Sequence, residues 1–178
     1  AKAKQLDKFL DQQLDALRAW HPDAVDSGLV LDFLRFYTTA KGTSDEHTLD
    51  EEATRYPHAG EPSPGLRAMC ARLFLLVERV DESGAPIPAR PARLAHDTLA
   101  AIVRERFDRS DLPGPRAKRV LDGRSAEWKD GKTGVPLDAQ DLAVVEAGQS
   151  GMRVWNDEEK SLIAASRVAR DKARRRRA

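Results

Sequence analysis

The chain has 178 residues, which fits one compact domain, and its 33% of charged and 40% of hydrophobic residues exclude a disordered chain. Its only cysteine is Cys70, which excludes an internal disulfide and a cysteine-based zinc site. The sequence shows no signal-peptide pattern, and no apolar run approaches the roughly 18 residues of a membrane span. We therefore expect a cytoplasmic protein.

The net charge of +1 hides an uneven distribution of charge. Residues 167–178 contain seven arginines or lysines and one acid, Asp171, so this end carries +6 and the remaining residues carry −5. A basic end on a mildly acidic body is typical of a chain that binds an anionic partner.

The N-terminal part of the chain predicts two helices. Residues 3–20 place apolar side chains at helical spacing with polar residues between them. The dipeptide His21-Pro22 ends this helix, because the residue before a proline is pushed out of the helical region. Ser27 is placed to be the N-cap of a second helix within residues 28–40, where apolar residues again share a face.

A short third helix is predicted next. Thr48 and Glu51 have the spacing of a capping box, and the helix that they begin should end near Tyr56. Residues 57–65 then contain three prolines and two glycines without any periodicity, which is the composition of an internal linker.

Two strongly periodic stretches follow, residues 66–80 and residues 94–107. We expect them to be helices that form the core together with residues 3–20. Residues 81–91 join the two stretches, and Pro91 suits the first turn of the second helix.

Residues 110–136 break the periodic pattern with three prolines and four glycines. They include Asp130-Gly131, a dipeptide favoured in two-residue hairpin turns, so we expect either a small hairpin or an ordered loop around Trp128. The predicted fold is all-α: a bundle of about six helices with an irregular or hairpin-bearing insertion near 110–136. Residues 1–166 would form the helical domain, and residues 167–178 a basic helix end or tail.

Two helices are predicted in the C-terminal part. Residues 138–147 form a short helix that Gly148 closes. Asn156 begins the last helix with a capping box, because Glu159 stands three residues later. This helix runs directly into the arginine tract.

The arginine tract is the candidate binding site. If the last helix continues to the end, four arginines fall on one face at steps of three, four and three. Such a stripe neutralises several phosphates, and counterion release then supplies affinity without sequence preference. A second group of cations stands in a proline-rich segment that we expect to be a loop, free to reach the same partner. The predicted nucleic-acid-binding residues are Arg167, Arg170, Arg174 and Arg177 on the stripe, Lys172, Arg175 and Arg176 beside it, and Arg116, Lys118 and Arg119 in the loop.

Two other interpretations fit the same tract. Cations near a helix C-terminus are favoured by the helix dipole, so the tract can be a solvated helix end. Alternatively, the chain is a helical subunit or scaffold of a larger phage, plasmid or CRISPR-type assembly. Its basic tail would then dock on an acidic protein surface.

We expect no enzymatic activity, no cofactor and no metal. The four histidines are scattered, and no two of them have helix-neighbour spacing. Cys70 lies in the apolar stripe of residues 66–80, which predicts a buried structural thiol. Residues 44–52 are rich in acids but lack the alternating acids and the central glycine of a calcium loop.

Overall fold

The structure is a computed structural model, and it describes residues 1–58, 65–128 and 134–178. The described chain is mostly helical, which confirms the helical class, but it does not confirm a bundle of about six helices. Its α-helices are α1 Lys2–Trp20, α2 Pro22–Asp26, α3 Leu29–Phe36, α4 Leu49–Arg55, α5 Leu66–Arg72, α6 Leu99–Arg109, α7 Pro113–Ser125, α8 Ala139–Ala147 and α9 Asp157–Arg177. Two short strands, β1 Leu76–Glu78 and β2 Ala92–Leu94, form an antiparallel sheet.

The first helix ends where the sequence predicts, but the next two helices begin differently. Helix α1 ends at Trp20, and the imidazole Nδ1 of His21 accepts a hydrogen bond from the backbone N–H of Ala24 (3.0 Å). His21 therefore caps α2, a short helix that the sequence analysis missed. Helix α3 begins after Gly28 and not after Ser27, so the predicted N-cap is wrong by one residue. Gly28 has φ +88°, and a Cβ there would lie 2.2 Å from Pro115 Cδ.

The predicted helix over residues 66–80 is wrong beyond Arg72. Helix α5 ends there because Phe74 adopts a left-handed backbone conformation (φ +59°) and turns the chain into β1. Residues 75–77 are a continuous apolar run, which fits a buried strand as well as a helix. The hairpin of this fold is therefore β1 with β2, in the register Leu76 opposite Leu94.

The second predicted helix begins later than expected. Helix α6 starts at Leu99, and residue 94 belongs to β2. Pro91 lies beside the sheet and not in a first helical turn, since its carbonyl accepts a hydrogen bond from the Arg79 N–H (2.8 Å).

The irregular insertion predicted near 110–136 is also partly wrong, because residues 113–125 form helix α7. Pro113 occupies the first helical position, where the missing N–H costs nothing. Gly114 is required by a close approach: a Cβ there would lie 1.7 Å from the carbonyl oxygen of Gly151. The Asp130-Gly131 turn lies outside the described residues. Trp128 is buried, and its indole N–H donates to Ser161 Oγ (3.1 Å).

The predicted N-caps of α4 and α9 and the predicted end of α8 are confirmed; the reciprocal bond that completes a capping box is present at α9 and not at α4. Thr48 Oγ1 accepts a hydrogen bond from the Glu51 N–H, and α4 ends before Tyr56. Gly148 follows α8. At the start of α9, Asn156 Oδ1 accepts from the Glu159 N–H (2.8 Å) and the Glu159 carboxylate accepts from the Asn156 N–H (2.9 Å).

The buried apolar residues form two clusters along the chain. The first cluster runs from α1 to α6 and includes Leu10, Leu17, Phe33 and Val103. The second cluster lies among α7, α8 and α9, and its members are Ala117, Leu121, Trp128, Leu137, Leu142, Val145, Met152, Trp155, Leu162 and Ile163. This second cluster positions the arginine tract.

Hydrogen bonds join the two clusters. The Asp32 carboxylate accepts from the Tyr56 hydroxyl (2.7 Å) and from the backbone N–H of Arg153 (2.8 Å). The Val154 N–H donates to the Arg55 carbonyl (2.9 Å). Burial raises the pKa of Asp32, and the hydrogen bonds from Tyr56 and Arg153 lower it in part. The α9 side of the molecule is thereby held against the N-terminal helices.

Candidate nucleic-acid interface

The first half of α9 is firmly anchored in the second cluster. Leu162, Ile163 and Ser166 are buried. The Ser166 hydroxyl accepts a hydrogen bond from the Leu137 N–H (2.8 Å) and donates to the Leu162 carbonyl (2.6 Å). At the helix start, the guanidinium of Arg153 forms a buried ion pair with Glu159 (2.7 Å). The anchored half fixes the direction in which the rest of the helix projects.

The next turn of α9 is braced by one acid of α8. Glu146 forms ion pairs with Arg170 (2.8 Å) and with Arg167 (3.3 Å). Arg170 also contacts Asp171 (3.4 Å), and the Arg167 guanidinium lies 6.0 Å from the centre of the Trp155 ring. Two of the four arginines on the predicted stripe are therefore already paired with acids of the protein itself.

Beyond this brace, the helix continues into solvent. Residues 171–178, which we call the distal arm, are all exposed, and α9 remains helical to Arg177. The predicted continuation of the helix is confirmed. At a rise of about 1.5 Å per residue, the helical part of the distal arm is about 10 Å long. In the part of the chain that the structure describes, Lys172 and Arg174–Arg177 form no ion pair.

The cations of the distal arm occupy two faces of the helix. At about 100° per residue, Arg174 and Arg177 share one side, which also lines a groove of about 320 Å³ against the start of α8. Lys172, Arg175 and Arg176 lie on the roughly opposite, outward side. The predicted single stripe is thus divided: its proximal half is paired, and its distal half belongs to an arm that is basic on both sides.

The second predicted group of cations lies on α7 and not in a loop, which corrects that expectation. Lys118 is mostly covered and pairs with Asp122 (2.8 Å). Arg119 donates to the Phe107 carbonyl (3.1 Å) and to the Ser110 carbonyl, so it caps the C-terminal end of α6. Arg116 is exposed, and no ion pair of the described residues involves it.

The remaining arginines between residues 104 and 109 are also engaged. Arg104 donates to Thr38 Oγ1 (3.0 Å), and Arg109 pairs with Glu105. Arg106 connects α6 to α1 through Asp7 (2.9 Å) and Asp11 (2.6 Å). These arginines have partners within the protein, which leaves the distal arm as the main unpaired basic surface that the sequence predicted.

The predicted burial of Cys70 is confirmed. The Cys70 side chain is fully buried, and burial raises the pKa of its thiol. It lies beside a buried polar group that the sequence analysis missed, in which Glu52 accepts a hydrogen bond from the Tyr37 hydroxyl and pairs with Arg67 (3.3 Å). Burial raises the pKa of Glu52 and of Tyr37. These contacts connect Tyr37, which follows α3, to Glu52 of α4 and Arg67 of α5.

The acid-rich segment of residues 44–52 holds a histidine. His47 lies between Asp45 (3.1 Å) and Glu51 (2.6 Å) and stacks on the Phe36 ring at 3.8 Å. The hydrogen bond from His47 lowers the pKa of Glu51. Across residues 1–58, 65–128 and 134–178, no three metal-ligating side chains are grouped as a metal site.

Comparison with known proteins gave no relatives: no family model, no curated protein and no solved structure matches this chain. Among the described residues, every helix is too short or too polar to cross a lipid bilayer.

Proposed function

We propose that this protein binds nucleic acid through the distal arm, by contacts to backbone phosphates and without catalysing a reaction. The observation that carries the proposal is the state of Lys172 and Arg174–Arg177. These five cations are exposed on an anchored helix, and no acid of the described chain pairs with them. Most other arginines that the sequence singled out have a partner within the protein.

The distribution of charge supports phosphate binding. The body of the chain carries −5 and gives phosphates little attraction of its own. Five unpaired cations within six residues concentrate the positive potential at one place. Because arginine presents a fork of donors, it suits bidentate contact with phosphate oxygens. The first turn of α9 contains Asp157, Glu158 and Glu159, so the helix meets phosphates with its C-terminal half.

Deletion of Lys172–Ala178 is the direct test. We expect the full chain to bind fluorescent DNA and RNA oligonucleotides at low salt, measured by anisotropy. If four or five phosphates are contacted, the logarithm of its affinity for duplex DNA should fall with the logarithm of salt at a slope of about −4. The truncated chain should lose most of this affinity and keep its unfolding midpoint, since every deleted residue is exposed.

Substitutions that keep all residues of the helix distinguish the effect of its charge on binding from the effect of its length. Replacing Arg174–Arg177 by lysine should weaken binding less than replacing them by alanine, because lysine keeps the charge and loses the bidentate geometry. The matched control is Arg109→Ala, an exposed arginine of α6 that is paired with Glu105. A truncated chain that binds as tightly as the full chain would refute the proposal, and so would a full chain that binds neither nucleic acid at low salt.

The alternative function, a helical assembly subunit, uses the same arm differently. In that case the arm docks on an acidic protein surface, and binding is observed only when the partner is present. The anisotropy experiment distinguishes the two, because the isolated full chain would then bind no nucleic acid.

A further inference from the structure

The turn that ends α5 has a phenylalanine, Phe74, at a position where glycine is usual. The Leu75 N–H bonds to the Cys70 carbonyl (2.9 Å) and the Phe74 N–H bonds to the Ala71 carbonyl (3.2 Å). These two bonds define a Schellman motif, whose left-handed position is normally glycine. Here that position is Phe74, with φ +59°. A bulky side chain in this conformation is energetically unfavourable, so the chain retains it at a cost.

Packing does not explain the phenylalanine. Phe74 is 71% exposed, the largest value with Val135 among the exposed large apolar side chains of the described residues. The apolar contact that usually accompanies the motif is available to Cys70 and Leu75, which are both fully buried. A strained backbone and an exposed aromatic ring at the same residue indicate a role outside the fold.

The neighbourhood of Phe74 is apolar and basic. Val77 is 45% exposed and stands three residues further along the chain, within about 10 Å. Its cross-strand partner is Arg93, and directly opposed residues of a sheet present their side chains on the same face. Arg72, the last residue of α5, is also exposed. Within the described ranges, neither Arg72 nor Arg93 forms an ion pair or a side-chain hydrogen bond.

Two acids of the same hairpin already have partners. Glu78 forms an ion pair with Arg90 (2.6 Å), and Asp81 is used by the N–H groups of Ser83 and Ala85 in the hairpin turn. Glu82 lies in the same turn, about five residues beyond Val77. The surface around the ring therefore presents two arginines, Arg72 and Arg93, that form no ion pair with an acid of the described residues.

We propose that Phe74, Val77, Arg72 and Arg93 form a docking surface for an acidic peptide segment of a partner protein, which inserts an apolar side chain beside the ring. Aromatic and arginine side chains are the residue types enriched at protein interfaces. Aliphatic Val77 favours an apolar side chain over a nucleobase, and the arginines select carboxylates beside it. This surface lies on α5 and the sheet, and it does not depend on the distal arm.

The first test measures the stability of Phe74→Gly. Glycine adopts the left-handed conformation without steric strain, and the exposed ring contributes little packing, so the unfolding midpoint should rise. A midpoint that falls would mean that the ring packs in the fold, and the proposal would be wrong.

The second test selects a ligand. Random dodecapeptides displayed on phage are selected on the full-length chain, and we expect enrichment of aromatic or leucine residues flanked by Asp and Glu. A synthetic peptide of the enriched sequence should bind the full chain in calorimetry. Phe74→Gly and Arg93→Glu should each weaken it about tenfold or more. The control Val168→Ala, at an exposed apolar residue of α9, should leave peptide binding unchanged.

Three results would overturn the proposal: no enrichment of acidic and apolar peptides, equal binding by Phe74→Gly, or enrichment of basic peptides. If Phe74→Gly weakens oligonucleotide binding by the full chain, the surface contacts nucleic acid. The proposal of an acidic peptide partner would then be wrong as well.

Discussion

The contact between α7 and the turn after α8 should be the most sensitive place in the fold to a single methyl group. A Cβ on Gly114 would lie 1.7 Å from the carbonyl oxygen of Gly151 and 2.3 Å from its carbonyl carbon. Both are backbone atoms, so the two segments would have to separate by well over an ångström. The same movement would strain the hydrogen bond from the Gly114 N–H to the Ser27 carbonyl (2.8 Å).

Gly114→Ala should therefore lower the free energy of unfolding by about 3 kcal/mol, the upper part of the usual range for overpacking. The same helix offers a matched control, because a Cβ on Gly123 would meet nothing within 4 Å. Gly123→Ala should raise the free energy of unfolding by about 0.8 kcal/mol through helix propensity alone.

Urea unfolding followed by tryptophan fluorescence measures both variants. With an m value of about 2 kcal/mol/M, the two midpoints should differ by more than about 1.5 M, with the wild type between them. If Gly114→Ala unfolds within about 0.3 M of the wild type, α7 does not approach the Gly148–Gly151 turn as described, and the reasoning fails.

Two further predictions concern titratable groups. Cys70 should react with a thiol reagent only after denaturation, because its side chain is fully buried and burial raises the pKa of the thiol; rapid labelling of the native protein, read by absorbance, would contradict this. Burial lowers the pKa of His58 below 6.5, and its Nε2 is buried without a hydrogen-bond partner in the described chain. Since the unfolded chain then binds the proton more tightly, stability should decline as pH falls from about 6.5 toward the lowered pKa of the folded state. Denaturant midpoints at pH 7.5 and 5.5 should therefore differ less in His58→Gln than in the wild type, and an equal difference would refute the assignment.

The starts of α4 and α9 were predictable because capping is a local property. Thr48 with Glu51 and Asn156 with Glu159 are three residues apart, so the sequence alone contains both members of each hydrogen-bonded pair. The strand at 76–78 was not predictable in this way. Its apolar residues also satisfy helical spacing. The chain forms a strand there because Phe74 turns the backbone and because residues 76–78 pair with Ala92–Leu94, far along the chain.

Helix α7 was missed for a different reason. The residues Pro113, Gly114 and Pro115 resemble a helix breaker in isolation. In the structure they form the first turn, where proline is tolerated, and Gly114 is needed because another backbone passes beside it. That second backbone belongs to the turn at Gly151, and the sequence around Gly114 does not indicate that the two segments are close.

In the candidate site, too, local features were predictable from the sequence and contacts between helices were not. Exposure of the last cations follows from their position beyond the last apolar residues of α9, so the sequence predicted it. The pairing of Arg167 and Arg170 with Glu146 depends on how α8 lies against α9, which periodicity does not specify.

This pairing changes how the tract would bind. Glu146 neutralises one of the two proximal arginines and holds both against α8, so the proximal charges serve mainly to orient the helix. The distal cations then extend from a helix whose direction is already set by buried residues such as Leu162 and Ile163. A flexible basic tail loses conformational entropy when it contacts phosphates, whereas a helix that is anchored and braced in the free protein loses less. If the tract binds phosphates as proposed, the pairing with Glu146 removes Arg167 and Arg170 from the contact, and the other five cations are presented in a fixed arrangement on both sides of one helix.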